Sequence, residues 1–175
     1  MKICVVANSK TGFTKRYADW IAEELSCAVI PYTDFTKSMA DENGLVIFGS
    51  RLHAGRIEYL NKVKPLFENS FSKLIVFAVG AAPVSATSAI NKFWADNFTA
   101  AELSAIPRFY MQGGLSYEKM NLLDKIMMKA AALIMGRKNI SDETEEGFTE
   151  DISKSFDSSS REYIRPLVSF VKAKQ

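Results

Sequence analysis

Along this chain, runs of consecutive apolar residues alternate with stretches in which apolar residues recur every three to four positions. Continuous runs are the pattern of strands covered on both faces, and the three-to-four period is that of helices lying on them. Ile3-Cys4-Val5-Val6-Ala7 predicts a first strand. Tyr17, Trp20, Ile21 and Leu25 predict a helix opening at Lys15, with Lys15, Arg16, Asp19, Glu23 and Glu24 on its wet side. Ala28-Val29-Ile30-Pro31-Tyr32 reads as a short second strand, its proline marking an end or an edge. The polar residues 34–43 read as a loop with at most one helical turn. Gly44-Leu45-Val46-Ile47-Phe48-Gly49 predicts a third strand, and Ile57, Leu60, Val63, Leu66 and Phe67 an amphipathic helix behind it. Lys73-Leu74-Ile75-Val76-Phe77-Ala78-Val79-Gly80 is the fourth strand, a helix follows over about residues 87–97, and Arg108-Phe109-Tyr110-Met111-Gln112-Gly113-Gly114 is the fifth. Such alternation implies right-handed crossovers and a doubly wound α/β fold, a five-stranded parallel sheet in the order 2-1-3-4-5.

The last third is less regular. Leu122, Leu123, Ile126, Met127, Ala130, Leu133 and Ile134 form a helical stripe within residues 120–135, so an extra helical segment follows the fifth strand. Asp124, Lys125 and Lys129 interrupt it and exclude a membrane span. Residues 140–160 are polar and acidic, and Tyr163 to Phe170 closes the chain as a helix with Pro166 in its first turn. The reading is one domain over residues 1–175, with a helical insertion at about 117–160.

Composition narrows the chemistry. With 47% apolar and 24% charged residues the chain fills one compact core. A net charge of +2 is too mild to argue for nucleic acid. The first strand begins at Ile3, leaving no room for a signal peptide, and the expected location is the cytoplasm. Cys4 and Cys27 lie in apolar surroundings and read as buried thiols; with one histidine in the chain, no metal site is expected.

In a doubly wound sheet ligands bind outside the carboxyl ends of the strands, where the chain switches direction between strands 1 and 3. Three segments converge there. Ser9-Lys10-Thr11-Gly12-Phe13-Thr14 joins the first strand to its helix, where unpartnered backbone N–H groups and the helix dipole make an anion site, with three hydroxyls as further donors. Ser50-Arg51-Leu52-His53-Ala54-Gly55-Arg56 follows the third strand, and Val79-Gly80-Ala81-Ala82-Pro83-Val84-Ser85 ends the fourth, both placed to flank a planar group.

Residues 5–21 resemble the phosphate-loop signature of the flavodoxins: hydroxyls, glycine, threonine and the helix alanine, Ala18, fall at the family's offsets, and only its aromatic position differs, being Ala7 here. Gly49-Ser50-Arg51-Leu52-His53-Ala54-Gly55 and Gly113-Gly114-Leu115-Ser116-Tyr117 are closer to one branch, the flavodoxin-domain proteins that include menaquinone-dependent protoporphyrinogen IX dehydrogenases, in which an extra helical segment also follows the fifth strand. The resemblance implies FMN, held by its phosphate at Ser9, Lys10, Thr11, Gly12, Phe13 and Thr14. It places the isoalloxazine ring between Ser50, Arg51, Leu52, His53, Ala54 and Gly55 on one side and Val79, Gly80, Ala81, Ala82 and Pro83 on the other.

It implies an FMN-dependent oxidoreductase or electron carrier working with a redox partner protein, a quinone or a small-molecule substrate. Electron-carrier flavodoxins put aromatic and acidic residues around the ring, whereas these segments are aromatic-poor and carry Arg51 and Arg56, so a raised hydroquinone potential is expected. His53 is the one candidate proton donor; ring contact and plain surface placement stay open for it, and no side chain is certainly catalytic. Met120, Met127, Met128 and Met135 read as core packing or as a helix over the flavin mouth or against a membrane surface. The rival readings are a flavodoxin-fold binding module without flavin and an NAD(P)H-dependent reductase.

Overall fold

The computed structural model describes residues 1–116 and 155–175. The chain divides into two compact units, Met1–Gly113 with Ser159–Gln175, and Gly114–Ser158. In the first unit β1 (Ile3–Asn8), β2 (Ala28–Pro31), β3 (Leu45–His53), β5 (Leu74–Gly80) and β6 (Arg108–Gln112) form one parallel sheet in the order β2-β1-β3-β5-β6. Counting its parallel strands alone, this is the predicted 2-1-3-4-5 order. The two-residue β4 (Arg56–Ile57) pairs antiparallel with the end of β3.

Successive side chains of a strand point to opposite faces, so each apolar run fills two cores at once. Val5, Ile47, Phe77 and Met111 share one core with Tyr17 and Ile21 of α1 (Phe13–Leu25) and with Leu167 and Val171 of the C-terminal helix. Cys4, Val6, Val46, Phe48, Val76 and Ala78 build the other with Leu60 and Val63 of α3 (Leu60–Val63) and Phe93 and Trp94 of α4 (Thr87–Asn97). Each Val, Leu, Ile, Phe or Met among them contributes about 1.5–3 kcal/mol by leaving water. A Cβ on Gly49 would lie 1.9 Å from Phe77 Cζ, so the ring presses on the β3 backbone and glycine alone fits. Cys4 and Cys27 are free and belong to opposite cores; Cys4 is buried as expected, but Cys27, expected to be buried too, is half-buried because it lies at the core's margin just before β2. Burial, with the neighbouring Cys27, pushes the Cys4 thiol up to about 11, as expected of an inert buried thiol.

The periodicity misreads one stretch. β3 does not stop at Gly49 but runs on to His53, and the helix expected from Ile57 is replaced by a hairpin in which Leu52 faces Ile57 and His53 faces Arg56. Ala54 (φ 49°) and Gly55 (φ 75°) make the two-residue turn, both left-handed, the geometry that matches strand twist. What remains of that helix is α3 and a 3₁₀ turn, Lys64–Phe67, which carries Pro65 near its start, because a proline cannot donate to a continuing α-helix. The loop expected at 34–43 holds α2 (Lys37–Glu42), capped by Thr36, whose Oγ1 accepts from Met39 N at 3.3 Å. An unpredicted α5 (Ala100–Ala105) starts on a reciprocal Thr99–Glu102 capping box. The closing helix is a 3₁₀ turn, Arg161–Ile164, leading into α6 (Arg165–Lys172), with Pro166 in the first turn as expected.

Of the second unit, the described residues form an antiparallel ladder of β7 (Gly114–Leu115) with β8 (Phe156–Asp157). The predicted insertion, including its Met-rich stripe and acidic tract, lies outside the described residues except for 155–160. Among the described residues no helix is long and apolar enough to cross a membrane, and no group of three His, Cys, Asp or Glu side chains is placed to hold a metal ion.

Candidate functional site

β1 ends at Asn8 and α1 begins after Gly12, so the whole 9–12 turn is spent reversing the chain from strand to helix. Gly12 is the N-cap at φ 102°, a conformation that side chains rarely adopt, and no side chain caps the helix. Its N–H donates to Ser9 Oγ at 3.2 Å, and its carbonyl accepts the first helical bond, from Arg16 N at 3.0 Å. No acidic residue stands in the first turn of α1. Among the described residues no side chain caps the start of the helix, whose first N–H groups stand in a field that favours an anion. Ser9 and Thr11 are half-buried beside them, Thr14 is buried, and Lys10 is exposed. This donor set, backbone N–H groups and hydroxyls around a glycine cap, fits a phosphate.

The second segment differs from the open loop expected of it. Ser50 is fully buried, and its Oγ accepts from Asn8 Nδ2 at 3.0 Å, tying the end of β3 to the end of β1. Arg51 is bound bidentately to Glu58, Nε at 2.8 Å and Nη2 at 2.6 Å, and Asn8 Nδ2 donates to the same carboxylate at 3.0 Å. His53 Nδ1 lies 3.8 Å from Glu58 Oε1, with its side chain 38% exposed. Burial by itself raises the Glu58 carboxyl, but the hydrogen bonds from Arg51 and Asn8 and the charges of Arg51 and His53 outweigh it and hold the group below its ordinary value. Arg56 points elsewhere, its Nη1 donating to the Asp96 carbonyl at 2.5 Å near the end of α4. The positive field expected from Arg51 and Arg56 is thus answered by Glu58 and by a helix-end carbonyl.

The third segment starts inside the core: Val79 is buried, and its side chain packs with the α1-side core. It is a core residue, not an open wall beside a ring. From Gly80 the chain leaves the sheet and is pinned from below. Tyr110 Oη donates to the Ala82 carbonyl at 2.8 Å, and Gln112 Oε1 accepts from Val84 N at 3.3 Å and from Tyr163 Oη at 3.3 Å. Burial pushes the Tyr110 phenol up, so it remains a donor at any physiological pH. Tyr17 Oη donates to the Gln112 carbonyl and accepts from Ser160 N at 3.1 Å, which fastens the C-terminal segment to the same point. Ala81 and Ala82 are half-buried, and Pro83 and Val84 are exposed.

The predicted residues thus stand at the carboxyl ends of three adjacent strands, β1, β3 and β5, with Asn8 facing Ser50 and Arg51 facing Val79 in register. Sequence reasoning missed Asn8, Glu58, Tyr110 and Gln112, whose spacing carries no signal for a site. It also missed Tyr59, left-handed at φ 61°, 40% exposed and stacked on Tyr32 with ring centroids 4.4 Å apart just beyond the hairpin. The stretch from Ser50 onward is therefore less aromatic-poor than residues 50–55 suggest.

No curated protein matches the chain. Among solved structures it is similar to an archaeal flavodoxin, 18% identical over 65% of this chain and 85% of that one, with a TM-score of 0.40. It is similar to a WrbA-like flavodoxin from Agrobacterium tumefaciens, 15% identical over 70% and 87%, with a TM-score of 0.45. A flavoprotein from Lactobacillus acidophilus, solved in complex with FMN, is 14% identical over 63% and 91%, with a TM-score of 0.36. A family model described as the flavodoxin domain matches residues 4–142. The chain belongs to the flavodoxin-domain family.

Proposed function

We propose that this protein is a redox protein that works through bound FMN, transferring electrons between a donor and an acceptor. The observation that carries this reading is the start of α1: a glycine N-cap at φ 102° with no side-chain cap, hydroxyls on both sides of it, and no acidic residue in the first turn. Residues 9–14 take the phosphate. The ring lies between residues 50–55 and 79–83, with Val79 contributing backbone, since its side chain is in the core. FMN supplies reversible one- and two-electron transfer when bound. The chain's part is to fix the ring's orientation, set the charge around it and limit water. His53, half-buried beside Glu58, is the side chain placed to hold a proton at its imidazole.

The expected result is a protein that takes up FMN, quenches its fluorescence and shows a visible flavin band bleached by dithionite. A chain that neither carries nor takes up FMN removes the reading and leaves the flavin-free binding module. The finer proposal is oxidation of protoporphyrinogen IX with a quinone acceptor, in the cytoplasm or at a membrane surface. It is supported by the branch-like residues 49–55 and 113–117 and by a separate unit, Gly114–Ser158, inserted after β6. Turnover of protoporphyrinogen with a menaquinone analogue, above a flavin-free control, is the result it requires. Rapid mixing with NADH and NADPH separates it from a reductase, which would bleach the flavin directly.

A further inference from the structure

Glu58 stands where two distant stretches meet. Its carboxylate accepts from Asn8, the last residue of β1 and the one before the phosphate turn, and from Arg51, near the end of β3. Its backbone N–H donates to the Arg51 carbonyl at 3.2 Å, so the hairpin itself holds the carboxylate in place. One acidic group therefore spans the carboxyl ends of the two strands between which a doubly wound sheet takes its ligand. The Arg51 and Glu58 side chains are 17% and 25% exposed, a pair largely withdrawn from water, where charges are screened least. A bidentate guanidinium, an amide and a nearby imidazole on one carboxylate is a built arrangement, unlike the solvated Lys15–Asp19 pair on the outer face of α1.

We infer that Glu58 is a positioning residue that sets the reduction potential of the site by cancelling the charge of Arg51. The inference rests on the flavin reading above. Bound FMN reduced by two electrons and one proton would carry one more negative charge, which Arg51 would attract and Glu58 would oppose. A chain carrying Arg51 without Glu58 holds reduced FMN more tightly relative to oxidised FMN, and one carrying Glu58 without Arg51 less tightly.

The test is potentiometric titration of the FMN-loaded full chain, with FMN affinity measured for the oxidised form, in wild type, Glu58→Gln, Arg51→Gln and the double variant. Glu58→Gln keeps an acceptor for Asn8 and is expected to shift the reduced-to-oxidised affinity ratio up about tenfold, which is about 30 mV for a two-electron couple. Arg51→Gln shifts it down, the double variant returns to within about threefold of wild type, and Glu58→Asp, which keeps the charge, stays on the wild-type side. A merely structural role moves FMN affinity or folding in one direction for every variant and gives no opposed pair. FMN uptake by all variants with ratios within about twofold of wild type, or with both single variants shifted the same way, overturns the role of Glu58 alone. A wild-type chain that takes up no FMN overturns the flavin reading and this role with it.

Discussion

The 9–14 turn, proposed to take the phosphate, and the β3 hairpin stand at the ends of neighbouring strands, yet they are made in different ways. In residues 9–14 every needed group comes from one short stretch: the strand delivers the turn, Gly12 supplies the left-handed cap, and the helix behind it supplies the N–H groups. In the hairpin no single stretch is sufficient. Arg51 acquires its meaning from Glu58 seven residues on, and Glu58 from Asn8 fifty residues back. A site of the first kind is set by local backbone geometry and the helix dipole. A site of the second kind is set by which charges the fold brings together, and its electrostatics change sign with one partner.

That contrast can be broken most directly through the ligand. If the turn holds the cofactor by its phosphate, riboflavin binds about a hundredfold more weakly than FMN, the loss of several charge-assisted bonds to uncapped N–H groups. Fluorescence quenching by the two ligands measures it, and equal affinities would mean that the turn is only a helix start.

A Gly12→Val substitution puts a β-branched residue at φ 102° and is expected to cost about 2 kcal/mol of stability and about tenfold in FMN affinity. Urea midpoints and quenching titrations read the two effects separately, and an unstrained variant with full affinity would deny the glycine its role.

For the hairpin, Glu58→Ala leaves Arg51 without its bidentate partner and is expected to cost about 2 kcal/mol near neutral pH. The pH dependence follows from the depressed carboxyl, which faces Arg51 and His53 from β3 and Asn8 from β1. A folded-state value below the unfolded one gives stability that is fully present above the ordinary carboxylate value and is lost as pH falls through the depressed one. The gap between wild type and Glu58→Ala should therefore close on acidification. Glu102, depressed by Lys64 and Thr99 against its burial, adds the same slope to both proteins and does not affect the gap. Urea midpoints across acid pH check this, and a gap that widens would contradict it.

The smallest effect concerns the turn of the hairpin. Ala54→Asn replaces alanine at φ 49° by a residue that tolerates the left-handed region beside Gly55, and is expected to add about 0.5–1 kcal/mol, read from the thermal midpoint.

These two regions also mark how far the sequence could be read. The three inner strands, β1, β3 and β5, were legible because a strand buried on both faces must be apolar along its buried run, as Val46, Ile47 and Phe48 are. The hairpin was not, because Ala54-Gly55 lacks the usual Asn-Gly signal and because Ile57, Leu60 and Val63 fit a helical period by coincidence: Ile57 is buried from a strand, the other two from one turn of α3. Tyr110 and Gln112 were readable as strand residues but not as the supports of residues 82–84, since that role depends on a loop meeting a neighbouring strand.

By itself, then, the sequence determined the order of the sheet and which segments stand at the carboxyl ends of β1, β3 and β5, since both follow from local pattern and from the handedness of crossovers. The tertiary structure alone decided the charge balance at the end of β3. Arg51 read as positive charge beside the ring with no acidic counterpart named, because electrostatic partners are chosen by distance in space, and only the fold places the Glu58 carboxylate 2.6 Å from its guanidinium.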